Sequence, residues 1–287
     1  MNINQVFTKR FGITLPLLIT AMCLAISCRS ENPAANQSVS VASNINVNAA
    51  TTNTNANVAV SNAATAQRVE FQSADGLKIV GTYYGVAKAD SPAVLMLHQW
   101  GSTKASYEVL AKQFQASGIA ALAIDGRGFG ESVKRADGSP LAPSRTDLVV
   151  AGMKADVTAA IKFLKQQPSV DANRIGITGA SYGSSLAIID AADDATIKAV
   201  ALLSPGTNYF GNLPTEPAVT KYGTRPLLIV AADDDAESAV ASGKLNNLAK
   251  GEKHQLQIYP KGGHGTGLFA AGVGLEKLLG DFFAANL

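Results

Sequence analysis

Cysteine is nearly absent from this sequence, and the little there is lies at one end: both thiols, Cys23 and Cys28, fall within the first thirty of 287 residues. The body of the chain therefore has no thiol for a disulfide, a cysteine-ligated zinc or a nucleophilic cysteine. Histidine is almost as scarce. His98, His254 and His264 are the only three, and none stands four residues from another, so a helical zinc motif is excluded and no metal site is expected. An excess of one charge is missing too: 24 Lys and Arg against 22 Asp and Glu leave a net charge of +2, with no basic run. A nucleic-acid partner is therefore not expected. The glycines at 126, 128 and 130 fit neither the dinucleotide fingerprint nor a P-loop, and no Gly-Lys-Ser/Thr occurs. No cofactor is expected from these residues.

What is present begins with a leader. Lys9-Arg10 followed by the apolar Phe11 to Met22 has the charged and hydrophobic regions of an export signal, and Ala25-Ile26-Ser27-Cys28 resembles a bacterial lipobox with Cys28 as the lipidated residue. Residues 1–28 are therefore expected to be a lipoprotein-type signal peptide, anchoring the protein to a membrane of the cell envelope. Residues 29–66 are almost wholly Asn, Ala, Ser, Thr and Val. Such a segment has too little large apolar surface to offset its ordering entropy, and it is expected to be a disordered tether spanning roughly 35 Å.

From Gln67 the texture changes, and residues 67–287, within a chain that is 47% hydrophobic, have ample apolar material for one core. Val69 to Gln72 and Leu77 to Tyr84 alternate with period two around the turn Ala74-Asp75-Gly76, which predicts an antiparallel hairpin. Continuous apolar runs at 93–97, 119–124, 174–178, 197–203 and 226–232 predict strands buried on both faces. Helix-like patterns separate them, the longest at 146–167 with Val150, Met153, Val157, Ile161 and Leu164 near 3.6 spacing. A loop of about twenty residues is expected between Ser204 and Arg225. A strand at 255–259 and a helix at 273–284 close the chain. Strands alternating with helices predict an α/β fold: a mostly parallel central sheet with helices on both faces and an antiparallel start. Ligands then belong at the carboxyl ends of the strands.

Gly179-Ala180-Ser181-Tyr182-Gly183 is a G-x-S-x-G pentapeptide between a strand and a helix, the context of a nucleophile elbow. Around it stand a His-containing turn at 98–101, the turn Asp125 to Ser132, three aspartates at 233–235 after a Pro-led strand, and Gly262-Gly263-His264-Gly265 near the end. In this order and at these strand ends, the set resembles an α/β-hydrolase over the whole of residues 67–287. The resemblance implies a serine hydrolase, most simply a carboxylic ester hydrolase acting on small or medium acyl substrates. Ser181 would be the nucleophile and His264 its base. Counted from Pro226, the family's usual position for the orienting acid falls on Asp235, with Asp234 next in line and Asp233 as a cap. The oxyanion would be met by the backbone N–H groups of Tyr182 and Trp100. At position 99 the family commonly has Gly where this chain has Gln, which bears on the second donor. His98 is expected to brace its turn and His254 to stand at the far end of the sheet.

The serine separates the chain from the cysteine chemistry of dienelactone hydrolases. A thioesterase, lactonase or peptidase would use the same groups, and a lipid-anchored binding protein retaining the fold without turnover is the alternative of another class. The 204–225 loop is too short for a large lid, and Tyr209, Phe210 and Tyr222 are candidates for the cleft wall.

Overall fold

The computed structural model describes residues 65–287. The leader expected over 1–28, with Cys28, and all but the last two residues of the expected tether lie outside the described residues. The chain runs β1 (Gln67–Gln72), β2 (Lys78–Tyr84), β3 (Ser91–Leu97), α1 (Glu108–Ala116), β4 (Ala120–Ile124), α2 (Asp147–Lys165), β5 (Val170–Ala180) and α3 (Tyr182–Asp193). It continues with β6 (Ile197–Leu203), β7 (Asn208–Tyr209), β8 (Leu213–Pro214), α4 (Thr215–Tyr222), β9 (Leu227–Ala232), α5 (Ala236–Leu248), β10 (His254–Tyr259), α6 (Gly267–Ala270) and α7 (Leu275–Asn286).

Eight strands form one sheet in the order β1-β2-β4-β3-β5-β6-β9-β10. The β1–β2 and β2–β4 pairs are antiparallel and every later pair is parallel. This is the mostly parallel sheet with an antiparallel start that the periodicity predicts. The period-two rule then sorts the central strands into two cores. Leu95, Leu97, Leu122, Ile177 and Leu202 face the layer of α2 and α3, while Val94, Met96, Ala121, Ala201 and Val230 face that of α1 and α7. The stripe Val150, Met153, Val157, Ile161 and Leu164 is buried along α2, as its spacing requires. Helix α3 is buried nearly all round, because α2, α4 and the sheet enclose it.

Two stretches differ from expectation. The sequence between the first two central strands, which reads as helix from Lys104 to Ser117, opens as a 3-10 turn, Lys104–Tyr107, before α1. The supposed loop after Ser204 holds the hairpin β7–β8 and the helix α4. Two-residue strands leave no period to detect, and Pro217 suggests a break although in the first turn of α4 its missing N–H costs nothing.

The parallel strands end in a staircase tied by backbone bonds: Ser181 N–H to Leu203 O at 2.8 Å, Ser204 N–H to Val230 O at 2.7 Å, and Asp233 N–H to Tyr259 O at 2.8 Å. The first step carries Ser181, the second Ser204 beside it, and the third leads into Asp234 and Asp235.

Candidate active site

Ser181 joins β5 to α3 with φ +54 and ψ −125. A residue with a side chain pays on the order of 1–3 kcal/mol to sit there, so neighbouring contacts must over-determine it. They do: besides the bond to Leu203, the Ser181 carbonyl accepts Ser184 N–H at 2.8 Å and the Ser184 hydroxyl at 2.6 Å. The flanking glycines are steric necessities. A Cβ on Gly179 would stand 2.1 Å from Gly183 O, and one on Gly183 would stand 2.6 Å from Leu97 O.

The adjacent aspartates divide the work. Asp235 Oδ2 lies 2.7 Å from His264 Nδ1, so the imidazole N–H donates to it and leaves Nε2 as the basic nitrogen. Asp234 accepts from Gly262 N–H at 3.0 Å and Gly263 N–H at 2.9 Å, fastening the loop just before the histidine. Those two amides hold its carboxyl below the ordinary range. Asp233 does not cap α5: the cap position is Asp235 itself. Past the histidine, Gly265 N–H donates to Ser204 Oγ at 2.8 Å. A Cβ on Gly265 would lie 3.5 Å from Ala180 Cβ, which brings the histidine loop against the elbow.

The turn after β3 is braced by His98, 2% exposed. Its Nε2 accepts Gly126 N–H at 2.9 Å, so Nδ1 carries the proton and donates to Gln99 O at 2.8 Å. Burial pushes this imidazole below its ordinary pKa, which keeps the accepting nitrogen free. Among the described residues, neither Trp100 N–H nor Tyr182 N–H has a protein acceptor, as oxyanion donors require. The Gln99 side chain reaches the histidine loop, its Oε1 accepting Thr266 N–H at 2.6 Å and the Thr266 hydroxyl at 3.1 Å.

The turn Asp125 to Ser132 supports the site without entering it. Fully buried Asp125 accepts Lys104 N–H at 2.8 Å, Lys104 Nζ at 2.6 Å and Glu131 N–H at 2.9 Å. Arg127 clasps Asp156 at 2.7 and 2.6 Å and reaches Asp75 at 2.8 Å. His254 pairs with Leu227 at the amino end of β9, far from the chemistry.

The hairpin β7–β8 lies against the elbow. Tyr209 O–H donates to Ser204 O at 2.9 Å and lies beside the Ser181 and Ser238 hydroxyls; burial raises its pKa. Phe210 stacks edgewise on Trp100 at 4.9 Å, and the Arg145 guanidinium lies 4.8 Å from both rings. Tyr222, by contrast, is 3% exposed with its hydroxyl on Pro226 O, so it belongs to the core and not to the wall. An open cleft of about 520 Å³ borders Tyr209, Asp235, Glu237, Ser238, Lys244 and His264. Sequence reasoning missed Ser204, Ser238 and Thr266. Only Ser204 carried a signal, a hydroxyl at the end of the strand beside the elbow. Among the described residues, no three His, Cys, Asp or Glu side chains converge as metal ligands would.

Comparison with known proteins gives the family and the fold. The sequence model of the dienelactone hydrolase family matches residues 79–271. The thiohydrolase apmlB of Arthrinium phaeospermum is 37% identical over 141 residues, which is 49% of this chain and 43% of that protein. The chain thus matches less than half the length of that relative. A dienelactone hydrolase from Anabaena variabilis superposes with TM-score 0.59 at 20% identity, covering 77% of this chain and 99% of that one. The Pyrococcus furiosus esterase Pf2001 gives TM-score 0.63 at 17% identity, covering 77% and 93%. At such identity the structural likeness speaks for the α/β-hydrolase fold.

Proposed function

The chain belongs to the dienelactone hydrolase family, and from that premise we propose that it cleaves carboxylic esters of small or medium acyl groups through an acyl-enzyme on Ser181. The observation that carries this reading is the His264–Asp235 pair, 2.7 Å long, in a loop packed against the strained elbow of Ser181. His264 Nε2 takes the proton as Ser181 Oγ attacks the carbonyl carbon, and Asp235 fixes the tautomer and stabilises the imidazolium. Trp100 N–H and Tyr182 N–H meet the oxyanion. The imidazolium then protonates the leaving alkoxide, and water activated by the same nitrogen releases the acid. The tightly packed aromatic wall of Trp100 and Phe210, backed by the buried Tyr182, favours short acyl chains, and the open cleft beside His264 leaves room for the alcohol.

The family's cysteine chemistry is not available, since position 181 is serine. One observation favours a second reading, thioester hydrolysis: the matched relative apmlB is named a thiohydrolase. A fluorophosphonate probe tests the common part. The parent protein should be labelled and Ser181→Ala should not; a folded, unlabelled parent overturns the proposal. Comparing kcat/KM on p-nitrophenyl acetate with that on the matched acetyl thioester then decides between the two readings.

A further inference from the structure

Two loops carry the groups proposed for catalysis, and one side chain spans them. Gln99 precedes Trp100 in the turn after β3, and its backbone carbonyl accepts the His98 ring N–H at 2.8 Å and Ser102 N–H at 3.1 Å. Its side chain crosses to the histidine loop, where both donors of Thr266 converge on Oε1 at 2.6 and 3.1 Å. Two donors on one atom fix the oxygen end of the amide there. The crossing is tight: Gly265, at φ +62, has no Cβ, and one built there would stand 2.0 Å from Gln99 Oε1.

Resting on the serine-hydrolase reading above, we infer that Gln99 is a positioning residue that locks the loop of His264 to the loop of Trp100, so that base and oxyanion donor are preset as one unit. Asp234 and Ser204 hold the histidine loop to β9 and β6, but neither reaches the oxyanion turn. Gln99 supplies that link. A glycine at this position leaves Thr266 N–H and its hydroxyl without the bridging acceptor and lets the two loops move separately. Reaction requires sub-ångström registry between attacking and stabilising groups, and misplacement of about 1 Å can cost roughly 100-fold.

The test uses the full chain and two substitutions, with kcat and KM on p-nitrophenyl acetate followed from pH 5 to 10. Gln99→Ala should lower kcat about 10- to 100-fold with KM within about two-fold and the acidic limb unmoved. Gln99→Glu keeps the two-donor acceptor and adds a negative charge near His264. It should recover most of kcat at high pH while moving the acidic limb upward, because a nearby carboxylate raises the imidazole pKa and the base must be neutral. A kcat for Gln99→Ala within two-fold of the parent, or a Gln99→Glu protein as slow as Gln99→Ala at every pH, overturns the inference. Fluorophosphonate labelling of the parent judges the hydrolase reading separately. If the parent is unlabelled, hydrogen exchange at Thr266 still judges the lock: protection lost in Gln99→Ala upholds it, and unchanged protection overturns it.

Discussion

Replacing Gly183 by Ala sets two effects of opposite sign against each other. Gly183 is the second residue of α3, and alanine in a helix is ordinarily favoured over glycine by about 1 kcal/mol. The new Cβ, however, would stand 2.6 Å from Leu97 O and 2.7 Å from His98 O. Relief to an ordinary contact, which begins at 3.4 Å, requires a shift of about 0.8 Å, the difference from 2.6 Å. Both contacts are backbone, at the end of β3, so no flexible side chain can yield. Overpacking of this kind costs typically 1–3 kcal/mol. With two rigid backbone contacts the cost falls in the upper part of that range, about 2–3 kcal/mol, so the steric term wins and Gly183→Ala should be less stable by about 1–2 kcal/mol, a fall of roughly 2–8 °C in Tm for a domain of this size. The displaced backbone is the turn that carries Trp100 N–H. Loss of an oxyanion donor costs about 2.7–4 kcal/mol, so partial misplacement should lower kcat about 10- to 100-fold with KM little changed. Thermal unfolding gives the first quantity, and p-nitrophenyl acetate kinetics, normalised to sites titrated with fluorophosphonate, give the second. A Gly183→Ala protein as stable as the parent, with kcat within two-fold, would refute the steric argument.

The division of labour between the aspartates gives a second expectation. Asp235→Asn should lower kcat/KM about 10³- to 10⁴-fold, since the amide no longer selects the productive tautomer; Asp234→Asn keeps an acceptor for Gly262 and Gly263 and should stay within about ten-fold, and the reverse ranking would make Asp234 the orienting acid. A third concerns pH. Asp190 on α3 is pushed up to about 6 by burial, against the Thr158 hydroxyl at 3.0 Å and with Asp194 and Asp193 repelling it. Its folded pKa lies above the unfolded value of 3.8, so it costs stability progressively as pH rises from about 4 to 6. Asp190→Asn should therefore stabilise the protein by about 3 kcal/mol at pH 7 and hardly at all at pH 3.5. Urea unfolding at the two pH values measures this, and an equal gain at both would contradict it.

The sheet and its order of elements were legible because strands buried on both faces leave continuous apolar runs, and α2 shows a clean stripe. Ser181 was legible from its glycines, whose steric cause is local. The choice among Asp233, Asp234 and Asp235 rested on counting from Pro226, and the geometry joins Asp235 to His264. What stayed hidden was non-local. Gln99 looked like a departure near the oxyanion turn, yet its partner Thr266 is 167 residues away. Tyr222 looked like cleft aromatic material, and only the packing of α4 places it inside. The hairpin β7–β8 is too short for any period to announce it.

That hairpin is a separate two-stranded sheet, joined to the main one by no ladder. Ser181, Asp235 and His264, the proposed nucleophile, acid and base, hang instead from the staircase of β5, β6, β9 and β10. The tip of the hairpin is therefore free of the main ladder, while Leu213 anchors its far strand in the core. Changing Phe210, which packs on Trp100, would redraw the shape admitted to the elbow, whereas Tyr209 also holds Ser204 O on the staircase; the hairpin tip is thus the natural place to retune the proposed selectivity.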